Sequence, residues 1–364
     1  MKGTAKKKTS RTKAPTDAAS ILVGDIGGTR TRLALYDASG KKTLAEAVIP
    51  SRDHASFEDI ALPFLAGEGQ SRPQVAVLGV AGPVKKGSAS VTNLPWRLDE
   101  RALSRRLGIP SVLLTNDLVV AARGCLHVAP RSVEVITASR PSPKGHNIAV
   151  IAAGTGLGEA RLIWTGDRHI TLAAEGGHAD FAPGSPLQIE LWHFLANRFP
   201  DHVSYERILS GNGLGALYDF FASRAGREPR AIAKRLAQED RNAVISELGL
   251  TRQHRPAALA VDLFASVYGA EAGNLALREM ALGGVFITGN IGRTIIPPRR
   301  EVFLDAFRKK GRLSGLMADI PVAVVTDPFV GVQGALAIAK DILAARGASA
   351  PKALRKRALV NDQD

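Results

Sequence analysis

The stretch LVGDIGGTRTRLALYD, Leu22 to Asp37, ends an apolar run on a carboxylate, Asp25, and follows it with Gly27, Gly28 and Thr29. Glycines at such a turn can take dihedrals closed to other residues and let a phosphate approach the backbone N–H groups, and Thr29 adds a hydroxyl donor. Asp25 would repel that phosphate unless a cation stood between them, and Mg2+ suits carboxylate, water and phosphate oxygens. The bland alternative is a tight hairpin with a solvated aspartate. A second turn, Gly154-Thr155-Gly156, weighs against it, because two such turns could clamp a polyphosphate from opposite sides. There is no GxxxxGK[ST] stretch, and the strand-to-strand setting is wrong for a dinucleotide-binding turn. GNGLG, Gly211–Gly215, reads as a loop between helices.

A second set of residues is polar. TND supplies Asn116 and Asp117 at a strand end, AEGGHADFAP supplies Glu175 and His178 across a Gly-Gly turn, and SYERILSG supplies Glu206. Carboxylates accept from O–H groups and amides both donate and accept, which is what the several hydroxyls of one sugar require. Asp117 could also take the proton of an attacking hydroxyl as a general base. Against these roles, Glu206 could be a helix-surface acid and His178 a packed turn residue.

These residues need a scaffold of alternating strands and helices. Ile21–Val23 and Arg32–Tyr36 read as strands flanking the GDIGGT turn, Val75–Val80 as a third, and SVLLTND, Ser111 to Asp117, as a strand ending on Asn-Asp. VVAARGCLHV behind it is helical. NIAVIAAGTGLGEARLI, Asn147 to Ile163, repeats strand, glycine turn and strand, which suggests two related halves. Helical periods begin near Pro186, and Ala257–Leu282 is a long apolar helix or helix pair. GGVFITGNIG gives a strand and glycine turn, PVAVVTD a strand, and GVQGALAIAKDILAA a final helix. The alternation argues for α/β layers.

Composition narrows the class. The 364 residues suffice for two domains, and 45% of them are apolar, as in an ordinary globular chain. No apolar run reaches the ~18 residues of a membrane span, and the N-terminus lacks the apolar centre of a secretory signal. It reads as a plain disordered extension, with an organelle transit peptide, suggested by its Lys, Ser and Thr and few acids, as the alternative. The formal charge of +14 points to nucleic acid, but residues 1–19 carry six Lys/Arg against one Asp and residues 346–364 five against two. More than half of the excess therefore lies on two tails expected to be disordered, and weak, salt-sensitive polyanion binding is all they predict. Aromatic residues make up 5%, too few for base-stacking platforms. The single cysteine, Cys125, excludes an intrachain disulfide and a cysteine-rich zinc site; it reads as a small buried residue of an intracellular protein.

Taken together, LVGDIGGTRTRLALYD, GVAGPV with VTNLPW, LLTNDL, IAAGTGLGEARL, AAEGGHADFAP, ERILSGNGLGALY and GGVFITGNIG resemble the bacterial glucokinase family of the sugar kinase/hexokinase/actin-like ATPase superfamily. They occur in family order over about residues 21–337. The resemblance implies a two-domain, actin-like ATPase (ribonuclease H-like) α/β fold with ATP and sugar in an interdomain cleft. It implies a small domain of residues 20–127 plus about 324–345, and a large one of residues 128–323. It implies Asp117 as base on the sugar 6-hydroxyl, and Asn116, Glu175, His178 and Glu206 as holders of the hexose. Asp25 is assigned to the Mg-nucleotide, Gly27, Gly28, Thr29, Gly154, Thr155 and Gly156 to the phosphates, and Gly289 to the neighbourhood of the adenosine. The implied enzyme is a cytoplasmic, homodimeric glucokinase using ATP and Mg2+. A kinase for another hexose or amino sugar, or one with another phosphoryl donor, is the nearest alternative. A sugar-sensing regulator binding nucleic acid through its tails is the alternative from another class; no helix-turn-helix pattern precedes the kinase-like part, and Asp117 is present. Arg30 stands where the family commonly has Asn after GGT, and TGNIG replaces a more glycine-rich turn. The zinc-binding cysteine cluster of the related repressor/open-reading-frame/kinase group is absent.

Overall fold

The computed structural model describes residues 19–67 and 73–347, so the basic tails fall almost wholly outside the described residues. The described chain forms two compact units, residues 19–115 with 338–347 and residues 116–337.

In the first unit, Ser20–Ile26 (β1) is buried at every residue except Asp25. A continuous apolar run of this kind is what a strand covered on both faces requires. It pairs antiparallel with Arg30–Asp37 (β2), from Ser20 opposite Asp37 to Ile26 opposite Thr31. Thr43–Pro50 (β3) continues the meander, and Pro73–Val80 (β4) runs parallel to β1. Short strands Val84–Lys85 (β5), Ser88–Ser90 (β6) and Arg97–Asp99 (β7) form a separate small sheet. Val112–Asn116 (β8) completes the main sheet, whose order is β3-β2-β1-β4-β8. Helices Glu58–Gly67 (α1) and Glu100–Leu107 (α2) complete the unit. Its core joins Ile26, Leu33, Phe57, Leu78, Trp96 and Leu103.

The second unit begins with Asp117–Cys125 (α3) and has a six-stranded sheet in the order β12-β11-β10-β13-β14-β9. Its strands are Val133–Val135 (β9), Ile148–Ala153 (β10), Leu157–Trp164 (β11), His169–Ala174 (β12), Val285–Thr288 (β13) and Val322–Val325 (β14). β10, β11 and β12 form an antiparallel meander, and β13 runs parallel to β10. The first four strands of each sheet are thus arranged alike: third, second, first, then a parallel fourth. The repeat read from two glycine turns extends to strand order, and the turns occupy equivalent places between first and second strands.

Helices Pro186–Ala196 (α4), Gly211–Ala222 (α5), Arg230–Gln238 (α6), Arg241–Leu250 (α7), Arg255–Glu279 (α8), Asn290–Ile295 (α9), Arg300–Arg308 (α10), Ser314–Asp319 (α11) and Val330–Gly347 (α12) follow. The long apolar segment is one helix, α8, buried on most of its circumference as its composition demands. Two glycines one turn apart admit α10: a Cβ on Gly269 would stand 2.0 Å from the Phe303 carbonyl, and one on Gly273 2.6 Å from that of Phe307. Cys125 is buried with Ala122, Ile148 and Phe286, and burial pushes its thiol far up, which suits the inert role expected of it.

Three local readings change. GNGLG is not a loop but the start of α5: Ser210 Oγ accepts from the Gly213 N–H at 3.1 Å, and a Cβ on Gly213 would meet the Ile208 carbonyl at 2.2 Å. The glycines relieve crowding at a capped helix start rather than break a helix. Asp117 is the first residue of α3, not the last of a strand, because Asn116 caps that helix. The edge strands β3 and β12 lack the β-rich signal of the central strands and are absent from the sequence reading.

Candidate active site

Asp25 lies near the end of β1 directly opposite Arg32, whose Nη1 is 3.4 Å from its Oδ2. It is a partly covered, paired acid rather than a solvated one. Burial raises its carboxyl above the usual range, against the opposing pull of Arg32. The turn beyond it is pinned from below. Gly27 N–H donates to the Arg30 carbonyl at 3.0 Å, Ser51 Oγ donates to the Gly27 carbonyl at 2.7 Å, and Ser51 N–H donates to the Thr29 carbonyl at 3.0 Å. Among the described residues, the N–H groups of Gly28 and Thr29 have no acceptor, and Thr29 and Arg30 are exposed. Neither glycine has a positive φ. Space explains them: a Cβ on Gly28 would be 2.5 Å from the Thr92 carbonyl, and one on Gly27 3.1 Å from that of Arg30. This turn can hold an anion on free backbone N–H groups beside one carboxylate. No cluster of three metal-ligating side chains occurs among the described residues. A lone carboxylate beside an anion cradle fits Mg2+, which takes most of its ligands from water and phosphate.

The second unit assembles its residues around the first two positions of β11. At the Gly154–Gly156 turn, Gly154 N–H donates to the Gly156 carbonyl and Gly211 N–H to the Gly154 carbonyl, both at 2.9 Å, while Thr155 is exposed. Glu206 Oε2 accepts the Leu157 N–H at 3.0 Å and would lie 2.3 Å from a Cβ on Gly156. Gly177 packs so closely on the Leu157 carbonyl that a Cβ there would be 2.1 Å away. Leu118, next to Asp117, covers Gly158, with Cδ2 at 2.4 Å from where its Cβ would be. Its N–H donates to Asn116 Oδ1 at 2.8 Å and Asp117 Oδ1 at 2.9 Å, which orients both side chains at the start of α3. Glu175 and His178 flank the short 3₁₀ turn Gly176–His178 and are exposed, with no side-chain partner among the described residues. The turn Tyr205–Arg207 that carries Glu206 is fastened to the same segment, Tyr205 N–H donating to the Ala179 carbonyl at 3.1 Å. The segments that carry Asn116, Asp117, Glu175, His178, Glu206 and the second turn, scattered over 90 residues, thus pack on Leu157–Gly158 through Leu118, Gly177 and Glu206. Such a set of acids, an amide and an imidazole can hold a polyhydroxylated molecule beside an anion.

Gly289 sits beside this turn, at φ 79°, with a Cβ site 2.4 Å from the Ala153 carbonyl. Only glycine fits there on both counts. Sequence reading missed several supports. The buried Tyr268 hydroxyl accepts the Ala153 N–H at 3.1 Å and donates to the Ile151 carbonyl at 3.3 Å, fixing the strand just before the turn. Ser51 does the equivalent for the first turn. Glu159, two residues beyond Leu157, is 1% exposed. The signal for Glu159 was available, as an acid at a core-facing position of a strand.

The glucokinase family model matches residues 22–342. A glucokinase of Nostoc punctiforme is 35% identical over 332 residues, covering 86% of this chain and 97% of that one. The solved structure of a glucokinase from an Antarctic psychrotroph superposes with a TM-score of 0.74 at 31% identity, covering 88% of this chain and 99% of that one. That of a Balamuthia mandrillaris glucokinase in complex with glucose has the same fold, with a TM-score of 0.75 at 20% identity, covering 89% and 94%.

Proposed function

This chain belongs to the glucokinase family, and from that membership we propose how its residues divide the work of one phosphoryl transfer. It has the two-domain, actin-like ATPase fold and transfers the γ-phosphoryl group of ATP to the 6-hydroxyl of D-glucose, giving glucose 6-phosphate and ADP, the entry to glycolysis. The observation that supports the residue assignment is the packing of the segments that carry these residues, and of the glycine turn, around Leu157–Gly158.

Asp117 takes the proton of the 6-hydroxyl, so that the oxygen can attack the γ-phosphorus as the bond to ADP breaks. Its carboxylate is oriented by the Leu118 N–H at the head of α3. Asn116, Glu175 and His178 hold the other hydroxyls. Glu206 offers the sugar the oxygen it does not spend on Leu157. Gly27, Gly28 and Thr29, and Gly154, Thr155 and Gly156, receive phosphate oxygens, and Gly289 leaves room beside the nucleotide. Asp25 would hold Mg2+, which when bound offsets charge on the phosphates. The first unit carries the metal and one phosphate turn; the second carries the sugar residues and the other. We read the enzyme as a cytoplasmic homodimer without specific nucleic-acid partners; no described helix is long and apolar enough to cross a membrane.

A coupled assay of Asp117→Asn tests the assignment. Glucose and ATP should still bind, and turnover should fall ~10²–10⁴-fold, the usual worth of a general base. Turnover within threefold of the parent would remove Asp117 from this role.

A further inference from the structure

Beneath the sugar residues lies a buried polar cluster that the transfer reaction does not use. Glu159 of β11 and Glu271 of α8 are 1% and 0% exposed, and Arg278 Nη2 reaches both carboxyls. Glu159 Oε2 rests against Gly176, at 1.9 Å from where a Cβ would stand, and its Oε1 is buried with no hydrogen-bond partner among the described residues. On the far side, Asn274 Nδ2 donates to Glu271 Oε2 at 2.9 Å and to the Tyr205 hydroxyl at 3.2 Å. One pair of carboxyls therefore touches the turn of Glu175 and His178 and, through Asn274, the turn of Glu206.

We propose that Glu159 is a positioning residue for the sugar, and that its protonated carboxyl, paired with Glu271, holds the Gly176–His178 and Tyr205–Arg207 turns in their glucose-binding arrangement. The proposal rests on the roles given above to Glu175, His178 and Glu206. Among the described residues, Arg278 is the cation that reaches both carboxyls. From α8, Arg278 Nη2 pairs with Glu271 and stands 3.5 Å from Glu159 Oε2, while Glu279 is a further acid and Tyr268 a neutral phenol. Glu279 is itself engaged by Arg161 of β11 at 3.0 Å. Lys310 donates to Asn274 Oδ1 at 2.6 Å and to the Ala270 carbonyl at 2.8 Å rather than to either carboxyl. Burial first, and the Glu271 charge next, push the Glu159 carboxyl up to about 8, against the pull of Arg278. The Tyr205 hydroxyl is likewise pushed up to about 12. Glu159 thus holds its proton more tightly than an ordinary carboxyl, and in that form it can donate. When it ionises, two buried carboxylates repel, one with an oxygen that no group solvates, and Glu159 must leave its seat against Gly176.

The test is the pH dependence of both Michaelis constants in the full-length protein. If only the protonated pair presents the sugar residues, the glucose KM should rise about tenfold between pH 7 and pH 9 while the ATP KM moves less than twofold. Glu159→Gln, which cannot ionise and keeps an N–H donor toward Glu271, should hold its glucose KM level over that range. A level glucose KM in the parent, or a parent-like rise in Glu159→Gln, overturns the proposal. Should that variant not fold, calorimetric titration of glucose into the parent at pH 9, in two buffers of different ionisation enthalpy, should show about one proton taken up per glucose; no uptake overturns the proposal. Failure of the parent to phosphorylate glucose at pH 7 would instead defeat the functional reading, so the two failures are separable.

Discussion

Replacing Glu159 by Gln should stabilise the protein, and by an amount that grows with pH. The ordinary carboxyl value of 4.5 applies in the unfolded chain, whereas burial and Glu271 push the folded value to about 8. Between those limits the folded state holds a proton that the unfolded state has lost. The stability from this group is therefore fully present below 4.5 and declines as pH rises through that window. The decline is about 1.36 kcal/mol per pH unit, or roughly 4–5 kcal/mol over the whole interval. Glutamine has no proton to lose, and every other titratable group is common to the two chains, so subtracting one stability curve from the other reports Glu159 together with its effect on Glu271. Urea unfolding followed by tryptophan fluorescence is suitable, since Trp164 and Trp192 belong to the same unit as Glu159. Near pH 5 the two proteins should differ little; by pH 8 the variant should be ahead by several kcal/mol. A stability difference that does not change with pH would refute the reasoning, because it would mean that Glu159 is ionised in the folded protein at neutral pH.

Two further outcomes follow from the geometry. The Glu175 side chain has no partner among the described residues whereas Glu206 supports Leu157, so Glu175→Ala should raise the glucose KM alone; Glu206→Ala should raise both the glucose and ATP constants and cost about 1–3 kcal/mol of stability by orphaning the Leu157 N–H. Steady-state kinetics with thermal melts separate the two, and equal behaviour would contradict the distinct roles. Gly28→Ala sets a methyl 2.5 Å from the Thr92 carbonyl, a backbone atom that cannot swing aside, so it should cost about 1–3 kcal/mol and raise the ATP KM with little effect on glucose; an unchanged melting temperature and ATP constant would show that the turn tolerates the displacement.

What could be read along the chain was local. The apolar run of β1, the glycine turns, the Asn-Asp at the head of α3 and the Gly-Gly before His178 each declare themselves within a few residues, because strand burial, turn sterics and helix capping act over that span. The same locality misled at GNGLG. Glycine is a poor helix residue in isolation, and the Ile208 carbonyl that makes Gly213 necessary, like the Ser210 hydroxyl that caps the helix, acts only once the chain has folded. It also misled about why Gly27 and Gly28 are glycines. Freedom of φ was the expectation, and the close approach of carbonyls is the observed cause.

The sequence by itself determined which chemical groups the protein would bring to bear: acids, an amide, an imidazole and backbone N–H turns. Only the tertiary structure decided how they depend on one another. Glu206 holds the backbone of the second glycine turn because β11 and the Tyr205–Arg207 turn are brought together across 49 residues of chain. Glu159 and Glu271 become partners through the packing of α8 beside the sheet, and neither residue type nor spacing announces a pair separated by more than a hundred positions. A carboxyl's protonation state depends on burial and on the charges around it, and both are properties of the folded chain.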